Sequence, residues 1–254
     1  MHDKQLIFVG GLHKSGTSLA HRLLRAHPAV SGFANTGAPE DEGQHLQNVY
    51  PAAKAYGGPG RFAFDECAHL TEKSTLVSTE TRTALLNDWA PYWDLSKDVL
   101  IEKSPPNLIR GRFLQALFPG SKFIFMVRHP VSVSLATRKW TRQQEVELMA
   151  HWLVAHDIFR NDLAHLEHWA WLRYEDLVTK PNAILGELWD FVGLQPIPAG
   201  EPIVASLDTS SFAAAGKLSQ LLRGDAAAVM KQFGYQFEPP YFCLPPGAMG
   251  IVAK

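Results

Sequence analysis

Cysteine is nearly absent from this chain. Cys67 and Cys243 are the only two, far apart and outside any metal-spaced cluster, which excludes a disulfide-built scaffold and a thiolate metal site. Free thiols in a reducing compartment are the expectation. Net charge is missing too: 24 Lys and Arg stand against 25 Asp and Glu, for a formal charge of −1. Nothing in the bulk balance draws the protein to nucleic acid or to an acidic membrane, so any cationic site must be local. No apolar run reaches the roughly 18 residues of a membrane span. The polar start Met1 to Gln5 leads straight into an apolar strand, unlike a signal peptide or an anchor. A cytoplasmic protein with no nucleic-acid and no membrane partner is expected. Nor is there an HExxH pattern. The pairs His151/His156 and His165/His168 lie in a stretch of packing periodicity, and no metal is expected.

What is present is ordinary globular composition, 46% hydrophobic and 19% charged, with no repeat, low-complexity tract or linker. One domain over residues 1–254 is expected. The most informative stretch is residues 6–24, LIFVGGLHKSGTSLAHRLL. Leu6 to Val9 read as a short buried strand, Gly10 and Gly11 break it, and Leu19, Leu23 and Leu24 recur at helical spacing. A strand feeding a glycine loop that opens a helix is a phosphate site, because the first helical N–H groups lack intrahelical partners and the dipole adds positive charge. Thr17 and Ser18 add hydroxyls and Lys14 a full charge. Gly11 and Gly16 keep the spacing of the nucleotide P-loop, but Thr17 follows Gly16 where such a loop has lysine.

Further strands are expected at Val30 to Phe33, Val99 to Ile101, Lys122 to Val127 and Trp169 to Leu172. Helices are expected at 78–93, between Leu108 and Phe118, at about 131–140 and at about 144–167. Strands separated by helices imply βαβ units and a parallel central sheet covered on both faces. Ligands in such sheets gather at the carboxyl ends of strands, where the Lys14 loop, Lys103-Ser104, Arg128-His129 and Tyr174 all fall.

These blocks, in this order, resemble the PAPS-dependent sulfotransferase family, in its bacterial and tyrosylprotein branches. Gly11 to Ser18 resembles the family's 5′-phosphosulfate loop, and Phe123 to Pro130 continuing to Ser134 resembles its 3′-phosphate segment. Trp171 to Leu177 is similar to a strand whose tyrosine, here Tyr174, lies near the adenine. Glu102 to Pro106 and Phe233-Gly234-Tyr235 fit as well. The resemblance implies a P-loop-NTPase-like three-layer α/β fold, with a central parallel sheet flanked by helices. It implies PAPS as donor, no required metal, and in-line transfer of a sulfuryl group to a hydroxyl or amine. It assigns Lys14 and Lys103 to the sulfuryl and bridging oxygens. His13, Ser15, Gly16, Thr17 and Ser18 would hold the 5′-phosphate and Arg128 the 3′-phosphate. Where the family has a second 3′-phosphate serine, this chain has Ala136, and Ser134 is taken for that role.

The general base should be a carboxylate or histidine within reach of the acceptor hydroxyl. The resemblance points to the loop after the first helix: Glu42 first, then Glu40, then His45. Ser210 and Ser211 fall where some relatives place a serine near the sulfuryl group. Trp140, Trp152, Trp169 and Trp171 read as core or pocket wall. The acceptor is left open among small molecules, carbohydrates and peptides, and loops 34–75 and 140–150 are expected to shape its pocket. The alternatives are a nucleotide-dependent kinase or NTPase, which would want the missing lysine after Gly16, and a non-catalytic PAP-binding protein.

Overall fold

The computed structural model describes residues 3–200, 203, 212 and 226–254. The apolar strand segments build one sheet in the order β2-β3-β1-β4-β5-β6. Its strands are β1 (Gln5–Gly11), β2 (Val30–Gly32), β3 (Val99–Lys103), β4 (Lys122–Val127), β5 (Trp169–Arg173) and β6 (Val252–Ala253). The first five pair in parallel. The sheet is therefore mixed rather than wholly parallel: β6 joins the edge antiparallel to β5, with Trp171 opposite Val252. A two-residue edge strand carries too little alternation to be read from sequence.

Strand alternation sends side chains to two cores. On one face, Ile7, Val9, Ile101, Ile124 and Met126 meet α1 (Thr17–Arg25) and α7 (Pro181–Val192) through Leu24, Leu188 and Trp189. On the other, Phe8, Leu100, Phe123 and Phe125 pack with Trp89 of α2 (Thr79–Trp89), Phe113 of α3 (Gly111–Leu117) and Trp152 and Phe159 of α5 (Glu145–Asp162). Further helices bounded within the described residues are α4 (Pro130–Arg138), α6 (Tyr174–Thr179) and α8 (Ala226–Gln232). The result is the three-layer arrangement expected. The segment Leu108 to Phe118, read as one helix, divides between a 3-10 turn (Pro105–Ile109) and α3, since two prolines at the start of the turn favour the tighter winding. The first strand sends its connection to β2 on one side, while β3 crosses it to reach β4 on the other. Their carboxyl ends thus flank the topological switch point.

Burial holds five histidine rings neutral: His13, His21, His151 and His156 are pushed down to about 3 and His129 to about 4. In the unfolded chain each protonates near 6.5, so between pH 6.5 and about 4 the unfolded state binds more protons and stability falls on acidification. Burial acts oppositely on carboxyls, raising Glu102 to about 7 and Glu42 and Glu175 above their ordinary value. These favour folding as pH drops toward 4.5, but five rings outnumber three carboxyls. The urea midpoint is expected to be lower at pH 5 than at pH 7. A flat profile would mean that the rings protonate in the folded protein.

Candidate active site

The loop after β1 turns tightly, with the Ser15 N–H on the Leu12 carbonyl at 3.0 Å. Gly16 caps α1 at φ 105°, and a Cβ there would meet Tyr174 Cδ2 at 2.6 Å, so the position needs glycine on both counts. Lys14 also adopts a left-handed backbone, φ 69°, which a non-glycine residue holds only when its surroundings fix it. Arg128 does so from the end of β4: its Nη1 donates to the Lys14 carbonyl at 3.0 Å. The Arg128 guanidinium lies 4.2 Å over the Tyr174 ring, and its own carbonyl accepts the Trp152 indole N–H at 3.0 Å. Lys14, Gly16, Arg128 and Tyr174 therefore form one packed unit across β1, β4 and β5.

On the opposite wall stands the segment after β2. Two successive residues, Glu40 and Asp41, have left-handed φ values of 52° and 50°. The Asp41 carboxylate pins them by accepting the Asn35 N–H (3.1 Å), the Thr36 N–H (2.8 Å) and the Thr36 hydroxyl (2.7 Å). Asp41 is thereby committed to the turn, whereas Glu42 points inward and is nearly buried. Lys103, at the end of β3, joins the two walls. Its Nζ donates to the Glu40 carbonyl at 2.6 Å and lies 3.4 Å from both Glu42 Oε1 and Ser18 Oγ. Burial raises the Glu42 carboxyl, with Lys103 pulling it back.

These groups surround a cavity of about 230 Å³ lined by His13, Lys14, Gly16, Thr17, Ser18, Glu40, Glu42, Pro105, Arg128 and Trp140. Cations and hydroxyls occupy one side and carboxylates the other. The Lys14 ammonium sits 2.9 Å from the centre of the Trp140 ring, which is half exposed. Of the tryptophans, Trp140 is thus pocket wall, while Trp152 and Trp171 are core. Of the residues that line the cavity, Arg128 and His13 each have a buried nitrogen without a hydrogen-bond partner, Nε and Nδ1. Two hydroxyls outside the lining, Ser15 Oγ in the loop and Ser134 Oγ on α4, are likewise buried and unpartnered. Such atoms can hydrogen-bond to water or to a ligand.

His45 is exposed and outside the cavity lining, its Nε2 3.7 Å from Glu42 Oε2. Ser134 is buried on α4. Arg138 pairs with Glu145, which leaves Lys139 and Arg142 as exposed cations of that turn. His151 and His156 pack against Phe62 and Trp152 as core rings, and among the described residues no group of acids, histidines and cysteines could hold a metal. Both cysteines are free, and among the described residues no helix is long and apolar enough to cross a membrane. Ser210 and Ser211 lie outside the described residues. The sequence reading missed Gln44 and Glu102, both buried: Gln44 bonds Glu42 directly, and Glu102 is linked to the Gln44 backbone through Ser104. Glu102 had a signal, a carboxylate placed inside an otherwise apolar strand.

Comparison with known proteins agrees with this arrangement. The chain is 28% identical over 203 residues to protein-tyrosine sulfotransferase 2 of Gallus gallus, covering 76% of itself and 52% of that protein. It is 26% identical over 202 residues to a putative protein-tyrosine sulfotransferase of Caenorhabditis briggsae, covering 76% of itself and 66% of the relative. It therefore spans only about half to two thirds of these curated relatives. Among solved structures, the sulfotransferase domain from the curacin biosynthetic pathway superposes with a TM-score of 0.55 at 19% identity, over 92% of this chain and 98% of that one. A sulfotransferase from Alicyclobacillus acidocaldarius gives 0.55 at 12% identity, over 90% and 95%. At these identities the likeness establishes the P-loop-NTPase-like fold. Residues 6–198 match the profile of the Sulfotransferase family, and the chain belongs to that family.

Proposed function

We propose that the protein is a sulfotransferase that moves the sulfuryl group of PAPS to an acceptor hydroxyl by in-line displacement, releasing PAP. The observation that carries this reading is the two-sided cavity. A cationic wall of Lys14 and Arg128 with the start of α1 faces a buried carboxylate, Glu42, and Lys103 reaches both.

In this reading the first-turn N–H groups of α1, with Thr17 and Ser18, hold the 5′-phosphate. Arg128 presents its free Nε to the 3′-phosphate, stacked on Tyr174, and Ser134 offers its unpartnered hydroxyl to the same group. Lys14, whose ammonium is partly desolvated, leaves the Trp140 face for the bridging oxygen as the leaving phosphate gains charge. Glu42 takes the proton of the acceptor hydroxyl, the oxygen bonds to sulfur, and the sulfur–phosphate oxygen bond breaks. The unpartnered hydroxyls and guanidinium nitrogen support an anionic donor, and the missing lysine after Gly16 weighs against the kinase alternative. The two relatives are protein-tyrosine sulfotransferases by name, so a tyrosine phenol is the first acceptor to assay. Two free cysteines support a reducing, cytoplasmic location.

Calorimetric titration with PAP in EDTA tests the donor. Metal-free binding is expected, weakened at least about tenfold in Arg128→Ala through loss of a charge-assisted contact. Preference for Mg·ATP with indifference to PAP would overturn the reading.

A further inference from the structure

The carboxylate of Glu42 does not stand alone. Its Oε2 accepts the Gln44 side-chain amide at 2.5 Å. Gln44 is itself buried and both ends of its amide are used, since its Oε1 accepts the Ala53 backbone N–H at 2.8 Å. A backbone N–H can only donate, so the atom facing it is the oxygen, and the NH₂ group is forced toward Glu42.

The backbone of the same segment is tied down as firmly. The Gln44 N–H donates to Ser104 Oγ at 2.9 Å, and that hydroxyl donates to Glu102 Oε1 at 2.5 Å. Asn107 Nδ2 donates to the other Glu102 oxygen at 2.5 Å. The Trp89 indole N–H holds the Gly43 carbonyl at 3.0 Å, and Gly43 lies so close to Glu102 that a Cβ would meet its Cγ at 2.5 Å. Residues 43 and 44 are thus held between the end of β3 and Trp89 of α2.

We propose that Gln44 is a positioning residue of the transfer reaction: its amide orients the Glu42 carboxylate in the cavity and favours the charged form that accepts the acceptor's proton. This rests on Glu42 being the base. The hydroxyl proton passes to Glu42 as the new oxygen–sulfur bond forms, and the electron pair of the broken bond leaves with PAP. Other charges bear on Glu42 from each side. Lys103 on β3 favours ionisation, Glu40 on its own loop opposes it, and Glu102 lies behind on β3. His45, held below its usual value by burial, is neutral at pH 7. Across the cavity stand Lys14 and the neutral ring of His13. Gln44 supplies the one donor on Oε2 within hydrogen-bond distance among the described residues, because His45 stands at 3.7 Å.

The test is the pH dependence of kcat/KM in Gln44→Met and Gln44→Glu, beside Glu42→Gln. Removing the donor leaves the Oε2 lone pairs unmatched, so the acid limb is expected to move up by about one pH unit in Gln44→Met. Gln44→Glu keeps the volume and places a like charge beside Glu42, and its limb is expected to move up as well. PAP affinity should stay within about twofold in both, because Gln44 does not line the donor wall. If Gln44→Met fails to bind PAP through misfolding, Gln44→Glu decides. Loss of activity in Glu42→Gln with unmoved acid limbs in the PAP-binding Gln44 variants would overturn the role of Gln44 while leaving the base in place. Full activity in Glu42→Gln would overturn the base itself.

Discussion

Lys103→Met is expected to lose about 10²- to 10³-fold in kcat while still binding PAP, the size of effect seen when one preorganised donor is removed from a transition state. The ammonium is almost wholly buried and bridges the walls, touching the Glu40 carbonyl at 2.6 Å and standing 3.4 Å from Ser18 Oγ and from Glu42 Oε1. Methionine fills the space and keeps the core. In the proposed reaction it removes the charge that faces the transferring group, and with it a charge that favours the ionised form of Glu42. Both losses act on the chemical step, so the acid limb of the pH profile should rise together with the fall in kcat. Arginine is expected to rescue little, since its planar fork cannot replace a point charge in this space. Steady-state kinetics with calorimetry against PAP checks the separation. An unchanged kcat would remove Lys103 from the reaction.

The largest expected effect on stability lies elsewhere. Arg173→Leu should lower the free energy of unfolding by about 3–5 kcal/mol, the cost of leaving one member of a buried ion pair alone. Arg173 and Asp176 are both fully buried and meet twice, Nε to Oδ2 at 2.6 Å and Nη2 to Oδ1 at 2.8 Å. The pair is also a clasp for the chain's last segment. Arg173 donates to the Leu244 carbonyl at 2.9 Å and to that of Pro245 at 3.2 Å, and Asp176 accepts the Gly247 N–H. The single variant strands Asp176 in the interior, so the double variant Arg173→Leu/Asp176→Leu should recover part of the loss. Urea denaturation of both variants measures it. Equal destabilisation in single and double variants would mean that the backbone contacts, not the stranded charge, carry the cost. Because Tyr174 directly follows Arg173, weaker PAP binding in the single variant is expected as well.

Much of this architecture is written locally. The strand segments of β1, β3, β4 and β5 were legible because each carries an apolar run of three to five residues between turn or polar residues, the pattern of a buried strand. The phosphate-type loop was legible because Gly16 has to stand where α1 begins against Tyr174, and glycine announces such a turn. Parallel connection then placed Lys14, Lys103, Arg128 and Tyr174 at one edge without any coordinates.

What the chain order could not supply is which side chains meet. Glu40, Asp41 and Glu42 are three adjacent acids, and only the family resemblance ranks Glu42 first among them. Only the fold turns Asp41 onto Asn35 and Thr36 and drives Glu42 against Lys103, 61 residues away. The amide of Gln44 acquires its direction from Ala53, its backbone from Ser104, and Lys14 its resting face from Trp140. The antiparallel β6 exists because β5 offers it an edge, a condition that two residues cannot encode by themselves. Local periodicity and turn chemistry set the elements and their order. The orientation of a carboxylate depends on hydrogen bonds between residues far apart in the chain, and those exist only once the layers have packed.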